Sequence, residues 1–233
     1  NRKMKIFEVK IVDHETEFEK LRCPYCSRPF TADEALKEWT AKHKQMLKFA
    51  IDGDVEKVKE STKELLKIHI PLFKQIRGGF IPCDEEDGQL LLNAFTDLAL
   101  QMRALKSYIP NQLIPKENEV FEPLKNYGIE YWYQLFNPRQ LLALAKLIKY
   151  VNDLAIDLIE KKKEYGAGIV AYLALGISKF SNYINVATTW YPKLSIIRDS
   201  TAQYALARSI GLGLEYCESV LPYEKRSLGW IYE

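Results

Sequence analysis

Cys23-Pro-Tyr-Cys26 sets two thiols on one tight turn. Backbone N–H groups in such a knuckle stabilise negative sulfur, and a tetrahedral zinc ion accepts two thiolates from one knuckle. That is half of a zinc site. Cys83, in Gly79-Phe-Ile-Pro-Cys83, is the next cysteine, and His14, His43 and His69 are the candidates for a fourth ligand, none at a persuasive spacing. A second pair of cysteines, as a full ribbon needs, is not visible. A metal-free knuckle and a Cys23–Cys26 disulfide therefore stand beside zinc as alternatives. Cys217 falls in an apolar pattern and reads as a small buried hydrophobe.

A second set of residues has the chemistry of nucleic-acid contact. Arg139 and Gln140 follow Asn137-Pro138 in the first turn of a predicted helix. Arg forks hydrogen bonds to guanine or phosphate and Gln to adenine, and a helix N-terminus favours phosphate. The plainer reading is that Arg139 pairs with an acid such as Glu130 inside the fold. Trp190, in the polar–aromatic stretch Ala187-Thr-Thr-Trp-Tyr-Pro192, is the aromatic best placed to stack on a base, with Asn182, Asn185, Thr188 and Thr189 nearby. Lys42, Lys44 and Lys48 belong to the clearest charge bias in the chain: from Lys37 to Arg77 there are ten Lys or Arg against six acids. Such a face neutralises phosphates. The Glu56–Lys59, Glu60–Lys63 and Glu64–Lys67 spacings equally describe a solvated helix surface, which is the commoner case. His14, His43 and His69 show no Ser or Asp partners of a hydrolytic triad.

These residues need elements to hold them. Residues 4–12 and 16–22 alternate as two strands of a small hairpin that delivers the cysteine knuckle. Thr31-Ala-Asp-Glu34 is a capping box for a helix to about Ala50, and Asp52-Gly53-Asp54 separates it from a second, running from Val55 to Ile68. Arg77-Gly78-Gly79 reads as a joint. Asp84-Glu-Glu-Asp87 caps a third helix, striped by Leu91, Phe95, Leu98, Met102 and Leu105. Three prolines make 109–123 a loop. Asn137-Pro138 opens a fourth helix, closed by Lys161, Lys162 and Lys163 and broken at Gly166 and Gly168. A fifth covers 167–183. A sixth runs from Asp199 or Ser200 to Val220, with Ala202, Ala205, Leu206, Ile210, Leu214 and Cys217 inward and Pro222 stopping it. The expected fold is mainly α, about six helices with a small N-terminal β-hairpin and cysteine knuckle. Residues 1–31 form the hairpin and knuckle, and 32–233 the helical domain, divided into a basic hairpin at 32–76 and a core at 84–233.

The phrase Tyr127-Gly-Ile before an aromatic run, then Leu135-Phe-Asn-Pro-Arg-Gln-Leu-Leu-Ala-Leu144, resembles the middle of the archaeal and bacterial adenine-specific DNA methylases that contain a zinc ribbon (DUF1156-type). Looser likenesses fall at Cys23–Cys26, Phe80–Asp87, Ile109–Pro115 and Ala171–Glu218. The resemblance implies an internal, non-catalytic domain of a DNA adenine N6-methyltransferase, with DNA and a flanking methyltransferase domain as partners. In that family the S-adenosylmethionine motif lies before such a segment and the Pro-Pro-Tyr motif after it. Neither motif occurs in this chain, nor does a glycine-rich strand-to-helix turn, so no catalytic or cofactor residue transfers onto it. The alternative is a helical interaction or scaffolding module that binds no nucleic acid.

Composition bounds these readings. The chain has 233 residues, 47% hydrophobic and 27% charged, with a net charge of +2, so a nucleic-acid role has to rest on a local patch. No apolar run reaches membrane-spanning length, and a cytoplasmic setting without a membrane partner is expected. The Lys, Glu, Ile and Tyr content suits a thermophile. The opening Asn1-Arg2 and closing Trp230-Ile-Tyr-Glu233 are expected of a piece cut from a longer protein.

Overall fold

Three residues, Asp52-Gly53-Asp54, end one helix and begin the next. In the computed structural model of the chain, α1 spans Ala32–Asp52 and α2 spans Val55–Leu65. Gly53 has φ +76°. Its N–H donates to Ala50 O at 3.1 Å, and the Asp54 N–H donates to Phe49 O at 2.9 Å. This closure requires the left-handed conformation that glycine adopts without a Cβ clash. Asp54 Oδ1 then accepts from the Lys57 N–H at 3.1 Å and caps α2. The structure describes residues 21–22, 29–30, 32–65, 73–76, 79–115, 124, 128–191, 196–198 and 200.

Among these residues the protein is mainly helical, with three short antiparallel ladders. β1 (Leu21–Arg22) pairs with β2 (Pro29–Phe30) across the Cys23–Cys26 segment. Of the strands expected over 4–12 and 16–22, only Leu21–Arg22 lies among the described residues. β3 (Phe73–Ile76) and β4 (Gly79–Pro82) pair with Ile76 opposite Gly79. The expected joint at Arg77-Gly78-Gly79 falls between these two strands, and Arg77 and Gly78 lie outside the described residues. Asp84 starts α3 (Glu85–Leu105) through a reciprocal capping box: Asp87 N–H donates to Asp84 Oδ1 at 3.1 Å, and Asp84 N–H to Asp87 Oδ2 at 2.9 Å. β5 (Thr189–Tyr191) and β6 (Ile196–Arg198) form the third ladder, where the sequence predicted irregular chain.

The long element α4 (Pro138–Ser181) is folded on itself. A straight helix would put Leu144 and Phe180 about 54 Å apart, yet both sit in one buried cluster with Ile184. The reversal is at Lys163, whose φ of 49° and ψ of −123° leave the helical region. Beyond it, the backbone at Gly166 lies against the first limb so closely that a Cβ there would fall 2.1 Å from Leu158 O. Limbs 138–162 and 164–181 therefore form an antiparallel hairpin. The expected break is real, but Gly166 serves close approach rather than termination.

The core joins α1, α2, α3 and the base of α4. Leu47, Val58, Phe95, Leu98 and Leu141 are all but inaccessible to solvent, and Tyr133 and Ile109 close the same cluster. Burial of this kind drives the packing at about 25 cal/mol per Å² of apolar surface. The described residues hold four helices, the fourth being the expected fourth and fifth joined at Lys163. The expected sixth lies outside the described residues.

Candidate functional site

Asn137-Pro-Arg-Gln140 starts α4 at the heart of the molecule. Gln140 is 0% exposed, and its Oε1 accepts from the Asn137 N–H at 3.0 Å. It holds the helix start together, so the expectation that it reads a base gives way to a structural role. Arg139, half-buried beside it, is already engaged. Glu130, the acid expected to pair with Arg139, receives Lys44 Nζ at 2.7 Å.

The lysines named for phosphate contact are drawn into ion pairs. Lys44 Nζ also donates to Gly128 O at 3.0 Å, which ties α1 to the segment before the aromatic run. Lys48 Nζ donates to Asp52 Oδ2 at 2.7 Å, and this carboxylate raises the Lys48 pKa. Lys42 lies 3.3 Å from Glu38 Oε1. Exposed pairs of this kind contribute little stability, but each sets a carboxylate beside the lysine ammonium.

The aromatic run is largely structural. Trp132–Leu135 is a 3-10 turn, and Gln134 Oε1 accepts from the N–H groups of Glu130 at 2.6 Å and Tyr131 at 3.0 Å. Tyr133 is buried in the core and stacked on Tyr131, and burial pushes its hydroxyl pKa up. Trp190 stands in β5 opposite Ile197; its side chain lies outside what is described. Asn185 and Thr188 turn inward. Asn185 Nδ2 donates to Ser181 O at 2.9 Å, and Thr188 Oγ1 to Asn185 O at 2.8 Å. They turn the chain instead of presenting polar edges.

For a metal, the described residues hold no converging group of three or more His, Cys, Asp or Glu. Cys23, Cys26, His14 and His69 lie outside them. Cys83 is half-buried directly before the cap of α3. His43 is buried in the core, with its ring edge-on to Phe95 at 6.1 Å and Nε2 3.4 Å from Phe136 O. No described helix is long and apolar enough to cross a membrane.

No family model, curated protein or solved structure matches this chain.

The feature that the sequence analysis did not single out is the outside of the α4 hairpin. Its first limb exposes Tyr150, Ile156 and Ile159 but sets ion pairs among them, Lys149–Asp153 and Lys161–Asp157 at 2.6 Å. The second limb carries no charge over the fourteen residues from Tyr165 to Ser178. Tyr165, Tyr172 and Leu175 are 73%, 56% and 67% exposed. Scattered exposed apolar residues are normal; a helix apolar on every side is not, because such helices sit between neighbours. The signal was present in the sequence as an uncharged run too long for one buried stripe.

Proposed function

We propose that this chain is a non-catalytic helical scaffolding domain that makes protein contact through the second limb of the α4 hairpin. The carrying observation is that uncharged, exposed limb beside a first limb solvated by ion pairs. The residues picked out for nucleic-acid contact support the same reading: Gln140 is consumed by the helix start, and Lys42, Lys44 and Lys48 each hold an acid. By its resemblance to adenine-specific DNA methylases, the domain belongs within a larger DNA-modifying enzyme whose reaction centre and S-adenosylmethionine site lie in flanking sequence. Zinc at Cys23 and Cys26, with Cys83, belongs to the same proposal.

A second reading, DNA positioning by α1 and α2, is favoured by the local excess of Lys and Arg. Titration of a labelled duplex with the whole chain over a salt series separates them. Scaffolding predicts no binding, or affinity indifferent to salt. An affinity that falls steeply with salt, and weakens when Lys42, Lys44 and Lys48 become Glu, would establish DNA positioning instead.

A further inference from the structure

The reversal of α4 is made by residues that favour a straight helix. No glycine or proline occurs from Arg139 to Tyr165, and Lys161, Lys162, Lys163 and Glu164 are strong helix formers. Lys163 nevertheless takes φ 49° and ψ −123°, close to the first central position of a type II′ turn, where glycine is the usual occupant. A Cβ makes that conformation strained. Among the described residues it alone, glycines aside, has positive φ. Lys161 to Tyr165 are all exposed, so the packing of the two limbs holds the turn closed.

That packing is symmetric in sequence. Leu144 and Phe180 share one buried cluster, Leu147 and Ile177 pack against it, and Gly166 lies against Leu158. The members of each pair stand equally far from Lys162 along the chain. A pairing symmetric about one residue is the same whether both limbs come from one chain or from two chains related by a two-fold axis. The second limb can therefore leave its own first limb and find identical contacts on another copy. Its far end carries its anchors along. The Val186 N–H donates to Leu135 O at 2.8 Å, and Ile184 is fully buried; a second body offers both of these places as well.

We propose that two chains exchange their second limbs, each α4 opening at Lys163 into one continuous helix. Exchange rests on the scaffolding role proposed above and makes a second copy of the chain its partner. Both strained lysines return to helical backbone, which is the gain of the dimer over two monomers, and the contacts between limbs are kept. The cost is the freedom lost on association, so the closed hairpin prevails in dilute solution and exchange grows with concentration. A straight helix over Pro138–Ser181 is about 66 Å long. The exchanged pair thus sets two bodies at opposite ends of a two-helix arm and acts as a spacer between them. The uncharged outer sides of both second limbs stay open to other protein, because exchange uses the side that already faces a first limb.

The test refolds the whole chain from denaturant at micromolar and at millimolar concentration and reads its mass by light scattering. The unaltered chain is expected to give monomer from the dilute sample and dimer from the concentrated one. Leu147→Cys with Ile177→Cys, bridged by a short thiol-reactive cross-linker and mapped by mass spectrometry, is expected to join two chains in that dimer and to close within one chain in the monomer. Lys163→Gly removes the strain and is expected to lower the dimer fraction about tenfold, whereas Lys163→Val, ill suited to positive φ, raises it. Monomer at every concentration, bridges within one chain in the dimer, or a dimer fraction unmoved by either substitution at Lys163 would each overturn exchange. The mass readings on the unaltered chain and the Lys163 variants need no added cysteine, so they decide the matter even where the double variant folds poorly. A duplex affinity that falls steeply with salt removes the scaffolding role alone, and the mass readings still decide exchange.

Discussion

Asp54 shows how much one side chain settles. It follows the glycine that ends α1 and caps α2, and the Lys57 ammonium, followed by the Lys57 N–H, holds its carboxyl below the usual range. A carboxyl depressed in the fold stabilises the fold above its unfolded pKa, and that contribution disappears as pH falls through the folded value. Asp54→Ala is therefore expected to melt at a lower temperature than the unaltered chain at pH 6. The gap should close below about pH 4; a gap independent of pH would remove the ionised cap from the account. At the α4 reversal two residues differ in sign. Gly166→Ala pushes a methyl into Leu158 O, a backbone atom that cannot step aside, and is expected to cost about 2 kcal/mol. Lys163→Gly places glycine in a conformation that suits it and is expected to add about 1 kcal/mol. Thermal melts of both variants check the pair.

At the scale of elements, the sequence was most legible where a cap and an apolar stripe coincide. Asp84 before Leu91, Phe95, Leu98 and Met102, and Asn137-Pro138 before Leu141, Leu144 and Ala145, mark helix starts found at those residues. It was least legible where tertiary contact decides. Gly166 looks like a stop until the first limb is seen packed against it. The short ladders at 73–82 and 189–198 have no alternation long enough to register as strands. Gln140 and Lys44 have side chains suited to nucleic acid, and only their partners show them facing the fold. Lys44 braces α1 against Gly128 and Glu130 across more than eighty residues of sequence. Lys44→Met keeps the stem and removes the brace. It is expected to cost about 1 kcal/mol in a denaturation midpoint experiment and to leave duplex affinity where it was.

For the whole molecule, the division is between a body and an arm. The body consumes its polar residues in caps, turns and braces, and its core is continuous from α1 to the base of α4. The arm continues past that core with one charged side and one uncharged limb. The proposed scaffolding role draws on this surface, an uncharged limb left accessible beside the folded body. The most direct measurement is titration of a labelled duplex with the whole chain over a salt series. The account predicts no binding, or an affinity indifferent to salt; an affinity that falls steeply with salt would contradict it.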